Sequence, residues 1–183
     1  MKKKGFTLAE VLITLGIIGV IAALTLPTLS NNAQSQANAS KLASTVSDLE
    51  NAIGLILMTD SSDPLQLHDM DYTSENLYDK LAKHMKISSA NAVSYSGVTV
   101  PSDTIFMTKS GAIVYVENKQ TEASGDDKKT VDNYFGQLYI DVNGSTKPNK
   151  LGKDLFSFHL GEDGILYPMG DATKELVKNG YKL

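Results

Sequence analysis

The chain begins with one long apolar run, and only later does it show the shorter apolar patterns of a soluble domain. Residues 6–29 are almost entirely apolar, and Glu10 is the only charged residue among them. About 20 such residues are enough to cross a bilayer as a helix. An uncharged polar stretch, residues 30–40, comes next, and charged residues resume at Lys41. The pattern predicts a membrane-spanning segment over residues 6–29 and one domain over residues 30–183.

The lysines before the apolar run predict its orientation. Lys2, Lys3 and Lys4 lie directly on its N-terminal side. Lysines next to a membrane segment favour the cytoplasmic side. We therefore expect a cytoplasmic N-terminus and an extracytoplasmic domain.

A helical pattern continues beyond the apolar run. After Pro27, apolar residues recur at spacings of three or four, which places them on one face of a helix. These residues are Leu42, Val46, Leu49, Ile53 and Leu57. Gly16, Gly19 and Pro27 weaken a helix, but membrane helices tolerate such residues. We expect one gently bent helix from Phe6 to about Met58, roughly 80 Å long at 1.5 Å per residue.

The rest of the chain predicts a short helix followed by strands. Ser74 is a candidate helix cap, and Leu77, Leu81 and Met85 form an apolar edge after it. Five later segments have strand-like patterns. They are residues 104–108, 112–117, 138–142, 156–160 and 165–167, the last ended by Pro168.

The connections between these strands complete the predicted fold. Residues 109–111 form a glycine-containing hairpin turn, and the polar residues 118–130 predict a mobile loop. The predicted fold class is α+β, with the long helix packed against an antiparallel sheet of four or five strands.

The composition argues against several classes of function. The chain has no cysteine, which excludes disulfides, thiolate metal sites and cysteine nucleophiles. The net charge of -4 gives no general affinity for nucleic acid. The three histidines, His68, His84 and His159, lack metal-ligand spacing, and there is no G-x-S-x-G or glycine-rich phosphate loop. We predict that the protein is not an enzyme and binds no cofactor and no metal.

One loop allows two interpretations. Asp141-Val142-Asn143-Gly144 and Asp154 resemble the start of a calcium loop, but the glycine comes too early and position twelve is Gly152. The favoured interpretation is a turn in which Asp141 and Asn143 bond backbone amides. Calcium binding stays open as the second. Without cysteine, we expect packing to hold this loop.

The apolar N-terminus has two ordinary explanations, which the sequence disfavours. A secretory signal peptide would be cut after the A-x-A at Ala37 to Ala39, but its apolar region is usually about 7–15 residues long. A plain membrane anchor would leave Glu10 unexplained, because an unpaired carboxylate costs on the order of 3 kcal/mol near mid-bilayer. A charge kept in this segment has a partner.

The string of residues 4–13, KGFTLAEVLI, resembles the class III signal of type IV pilins and type II secretion pseudopilins. The resemblance implies that a prepilin peptidase cuts after Gly5 and methylates the new N-terminus at Phe6. It also implies that Glu10 is the acid that contacts the Phe6 amine of a neighbouring subunit during assembly. Residues 1–5 are then a leader peptide that is removed.

The resemblance implies a structural function. We expect a subunit of a type IV pilus or a type II secretion pseudopilus, and the alternative is a membrane-tethered binding or adhesion module that does not polymerise. The implied partners are prepilin peptidase, other pilin or pseudopilin subunits and an inner-membrane assembly platform. The implied location is the bacterial inner membrane before assembly and a filament or the cell surface afterwards.

A second, C-terminal resemblance concerns the fold alone. The region from Asp141 to Phe158, with Pro148 and Asn149, resembles the C-terminal strands of minor pilins and pseudopilins. Many pilins close this region with a disulfide, which a chain without cysteine cannot form.

Overall fold

The computed structural model describes residues 5–60, 74–101, 104–117, 121–122, 125 and 133–181. The chain divides into two compact units, residues 1–37 and residues 38–183. The elements are α1 (Leu8–Asp60), α2 (Ser74–His84), β1 (Ile87–Ser89), β2 (Thr104–Thr108), β3 (Ile113–Glu117), β4 (Thr121–Glu122), β5 (Asn133–Asp141), β6 (Leu155–Gly161), β7 (Leu166–Met169) and α3 (Asp171–Lys178).

The long helix is confirmed, with bounds shifted by two residues at each end. It runs from Leu8 to Asp60 with Pro27 inside it. Within the first unit its large apolar side chains are exposed, Leu8 by 80% and Leu24 by 73%, and Phe6 just before it is exposed by 90%. Among the described residues, α1 is the one helix long and apolar enough to cross a membrane. An apolar surface this continuous requires lipid or other helices to cover it.

The second unit buries the predicted helical face. All five residues of that face are at most 5% exposed and belong to one hydrophobic core. Phe106, Phe156 and Phe158 contribute the largest sheet side chains to the same core. Burying a side chain of this size stabilises a fold by about 1.5–3 kcal/mol. The domain therefore carries its own core.

The sheet is larger than the four or five strands predicted. In the part of the chain that the structure describes it has seven antiparallel strands, in the order β1-β2-β3-β5-β6-β7, and β4 pairs with β5. The two unpredicted strands, β1 and β4, have three and two residues, which is too short to show an alternating pattern. The helix α3 was also unpredicted, since only Thr173 and Leu176 are buried in it.

The predicted end of the last strand at Pro168 is wrong. Pro168 lies inside β7, where it pairs with Phe158. β7 is the edge strand of the sheet, so Pro168 needs no N–H for a further neighbour.

Other local predictions are confirmed. In the hairpin after β2, the N–H of Gly111 donates to the carbonyl of Thr108 at 2.9 Å. The second helix exists, with Leu77 and Leu81 buried. The side chain of Ser74 lies outside the described residues, as does most of the predicted loop over residues 118–130.

A close approach at Gly152 makes one prediction about stability. Gly152 has φ +79°, and a Cβ there would stand 2.7 Å from Cβ of Ala172 in α3. Neither atom can move without its backbone. We expect Gly152→Ala to destabilise the domain by at least about 1–3 kcal/mol through its positive φ alone. The measurement is denaturant unfolding. Gly97→Ala is the control, because Gly97 has φ +78° and nothing within 4 Å, so Gly152→Ala should cost more.

Candidate functional site

The single charge of the apolar run is held by hydrogen bonds at the start of α1. Oε2 of Glu10 accepts from both the backbone N–H and the hydroxyl of Thr7, each at 2.8 Å. In return the N–H of Glu10 donates to Oγ1 of Thr7 at 3.2 Å. Since α1 begins at Leu8, Thr7 is its N-cap and Glu10 is the third helical residue. This reciprocal arrangement is a capping box.

The capping box is a role that sequence analysis did not assign to Glu10. The T-x-x-E spacing of Thr7 and Glu10 before an apolar run is the pattern that predicts it. The box satisfies two N–H groups that a helix start leaves without intrahelical partners. Glu10 therefore has an intrachain partner, and the predicted contact with a Phe6 amine would be a second use of the same carboxylate.

The residues before α1 leave the predicted cleavage site accessible. Gly5, Phe6 and Thr7 are non-helical, and all three are exposed. A Cβ at Gly5 would meet nothing within 4 Å, and its φ lies outside the left-handed region. The fold thus accepts a side chain at Gly5, so any requirement for glycine there comes from another molecule.

Two buried carboxylates organise the loop between β5 and β6, residues 142–154. Asp141 and Asp154 are both fully buried. Oδ1 and Oδ2 of Asp154 accept the backbone N–H groups of Lys150 at 2.6 Å and Asn149 at 2.7 Å. Oδ2 also accepts from the side-chain amide of Asn143 at 3.2 Å. Hydrogen bonds to the buried side chain of Asp154 therefore hold this loop.

The predicted capped turn is confirmed at one of its two residues. Oδ1 of Asp141 accepts the N–H of Asn143 at 3.0 Å. Asn143 instead directs its side-chain amide to Asp154. The described residues contain no group of three or more His, Cys, Asp or Glu placed to hold a metal ion.

Two tyrosines connect this loop to a distant segment. The hydroxyl of Tyr95 donates to Oδ2 of Asp141 at 2.6 Å and lies 2.9 Å from the hydroxyl of Tyr115. The Tyr115 hydroxyl in turn accepts the N–H of Val93 at 3.0 Å. The chain of hydrogen bonds joins residues 93–95 to β3 and to the end of β5. It joins separate elements, as a disulfide would.

Burial raises the pKa of Asp141 above its ordinary value, against the lowering effect of the Tyr95 and Asn143 hydrogen bonds. A folded-state pKa above the unfolded one means that this group supports the fold most below about pH 4 and loses that contribution as pH rises through the folded pKa. We expect Asp141→Asn to remove this dependence. The measurement is the unfolding free energy of both proteins between about pH 3.5 and pH 7. A constant difference between them would contradict the assignment.

The two histidines that the structure describes lie on different elements. His84 follows Lys83 at the end of α2, and His159 stacks on Tyr134 with ring centroids 4.3 Å apart. His68 lies outside the described residues.

One comparison with known proteins is informative. Residues 1–26 match the family model described as the prokaryotic N-terminal methylation motif. No curated protein and no solved structure matches the chain. The match covers the capping box and the start of the apolar run, and it points to a structural class of protein.

Proposed function

Because residues 1–26 carry the signal of type IV pilins and pseudopilins, we propose that the protein is a structural subunit of a type IV pilus or type II secretion pseudopilus filament. Prepilin peptidase cuts it between Gly5 and Phe6 and methylates Phe6. The N-terminal part of α1 then joins the filament. The observation that carries this proposal is the signal itself, followed directly by an exposed apolar helix.

The exposed apolar surface of the helix suits two successive environments, the bilayer and the filament. Residues 6–29 lie in lipid before assembly and among equivalent helices afterwards, since either covers the apolar side chains. Lys2 to Lys4 keep the N-terminus in the cytoplasm of a bacterial inner-membrane precursor, where the peptidase and the assembly platform act. Residues 30–183 are extracytoplasmic.

Glu10 supports assembly through its charge. Cleavage creates an ammonium group on Phe6, and an unpaired charge in an apolar environment is costly. Both Thr7 donors bind Oε2 of Glu10, which leaves lone pairs of Oε1 for a further donor. The Phe6 amine of a neighbouring subunit is that donor. The capping box fixes the carboxylate before the neighbour arrives.

The division between anchor and domain makes a prediction. A fragment that begins at Asn31 should be a soluble, folded monomer, because residues 38–183 form a compact unit with its own core. Circular dichroism and size-exclusion chromatography check this result. Aggregation or an unfolded spectrum would show that the domain depends on the apolar run.

The filament itself is tested by shearing. Cells producing the protein at its natural level are sheared, and the released fibres and the membranes are probed with an antibody against the domain. The proposal predicts cleaved subunit in the fibres. Protein found only in membranes, in cells that make fibres from other subunits, would favour a non-polymerising tether.

A further inference from the structure

A groove on the domain combines an apolar floor with basic walls. It has a volume of about 320 Å³ and lies between the outer side of α1, the end of α2 and the turn after β2. Leu55 and Met85 supply apolar surface, and Leu55 is 46% exposed. Lys86 and Lys109 stand at the groove with a single acid, Asp48. We call it the Leu55 groove.

The turn between β6 and β7, residues 161–165, has the opposite character. Its sequence GEDGI contains two acids and no base. Ile165, which follows the two carboxylates, is 48% exposed. The Asp163 carboxylate accepts the N–H of Ile165 at 3.0 Å and the hydroxyl of Tyr167 at 2.8 Å. These bonds hold the turn in one shape before any contact forms.

The groove and the turn lie at different edges of the sheet. The groove includes residues at the β1 and β2 edge, whereas the turn joins β6 to the opposite edge strand β7. They also lie toward opposite ends of the strands. Thr108, at the groove, ends β2 next to the first residue of β3, Ile113. Ile113 pairs with Asp141, and Asp141 pairs with Leu155 at the start of β6. The turn follows the other end of β6. Within one copy, Gly164 of the turn lies against Ile53 and Leu57 of α1, whereas the groove is lined by Leu55 of the same helix. Helical residues two positions apart do not face the same way, so the turn and the groove of one copy lie on different sides of α1.

We propose that the Leu55 groove of one copy binds residues 161–165 of a second copy of this chain. Ile165 enters the groove against Leu55, and the acids of the turn face Lys86 and Lys109. The occupant follows from charge complementarity, since this turn combines an exposed apolar side chain with an acidic, base-free sequence. The inference rests on the proposed filament function and adds a contact between domains to the contact made by α1.

The geometry of this contact favours a filament over a closed dimer. A contact between two different surfaces is heterologous, and it repeats without limit unless a rotation closes it into a ring. The groove and the turn are offset both across the sheet and along its strands. When each added copy is both rotated and displaced along one direction, such a contact generates a helix, as the proposed filament requires. The contact supplies lateral order beyond the helical core.

Cysteine cross-linking tests the contact in the full-length protein. The natural chain contains no cysteine, so every cross-link comes from introduced residues. Leu55→Cys combined with Ile165→Cys should form a ladder of disulfide-linked multimers in intact fibres after mild oxidation. Each single variant should stay monomeric, because the contact pairs unlike surfaces. The matched control combines Leu55→Cys with Leu151→Cys, as Leu151 is also an exposed apolar residue, at 40%, and should give no ladder.

The outcomes separate this contact from the filament itself. Fibres that contain the double variant without a ladder would overturn the contact and leave the proposed function standing. A ladder in membranes without any fibres would support the contact and count against the filament. Dimers of the single Leu55→Cys variant would show a symmetric contact and overturn the proposal. So would a Leu55→Cys thiol that maleimide cannot reach in the unassembled subunit, because another part of the same chain would then cover the groove.

Charge reversal gives a second test. Lys86→Glu with Lys109→Glu should reduce the yield of sheared fibres several-fold and leave cleavage at Gly5 and the level of membrane subunit unchanged. Both lysines are exposed, so the domain should fold normally. An unchanged fibre yield would contradict the electrostatic part of the proposal.

Discussion

Replacing Gly5 with leucine should leave the precursor uncut, and we expect it to accumulate in the membrane. The structure argues against a steric conflict within the subunit, since a Cβ at Gly5 would meet no atom of the described residues within 4 Å. The effect therefore arises in the peptidase, whose active site must accommodate the residue before the cut. Cleavage should fall to a small fraction of the wild-type level. Immunoblots of membranes resolve the two forms by the loss of residues 1–5.

The control for this prediction is Gly16→Leu. A Cβ at Gly16 would likewise meet nothing within 4 Å, but Gly16 lies in α1, well beyond the cut. We expect this variant to be cleaved normally. Efficient cleavage of Gly5→Leu, or equal loss of cleavage in both variants, would argue against recognition of Gly5.

Replacing Glu10 with valine should block assembly and leave cleavage intact. Glu10 lies beyond the proposed cut, and the amine proposed as its partner exists only after the cut. Removing one partner of a buried ion pair costs about 3–5 kcal/mol, and each 1.4 kcal/mol changes an equilibrium roughly tenfold. We expect cleaved subunit to accumulate in membranes and to fall more than about tenfold in sheared fibres. Valine is more apolar than glutamate, so insertion should be at least as good as in the wild type.

Glu10→Val also removes the Glu10 half of the capping box, so a loss of assembly could come from the lost helix cap as well as from the lost charge. Loss of a helix cap costs about 0.5–2 kcal/mol. Glu10→Gln separates the two effects, because an amide oxygen still accepts from Thr7 but carries no charge. We expect Glu10→Gln to fail in assembly as Glu10→Val does. Full assembly of Glu10→Gln would mean that the cap, and not the ion pair, is what assembly needs.

The elements that the sequence alone predicted are those in which many residues follow one hydrophobic pattern, helical or alternating. The α1 helix has a long apolar run and then a five-residue apolar face. The bounds of β2 were predicted as residues 104–108, as the structure has them, because alternation and a glycine turn both mark it. β1 and β4 were missed because strands of three and two residues are too short to show an alternating pattern, and α3 was missed because only Thr173 and Leu176 are buried in it. Pro168 was misassigned because its edge position depends on strand order, which local patterns do not contain.

The polar contacts of the site differ in how far they could be predicted. The capping box of Thr7 and Glu10 follows a local sequence pattern, T-x-x-E, and could have been predicted from residues 7–10 alone. The contact of Tyr95 with Asp141 joins residues 46 positions apart, and only the folded chain brings them together. Asp154 looked like a calcium ligand because the sequence shows its carboxylate but not the N–H groups of Asn149 and Lys150 that bind it.

The most direct test of the account is the mass and sequence of the N-terminal peptide of the mature protein. The protein is purified from sheared fibres and from membranes, digested, and its N-terminal peptide is identified by mass spectrometry. The account predicts a chain that begins at Phe6 and carries one methyl group on its amine. A chain that still begins at Met1 in both fractions, or one that begins just after Ala39, would contradict it.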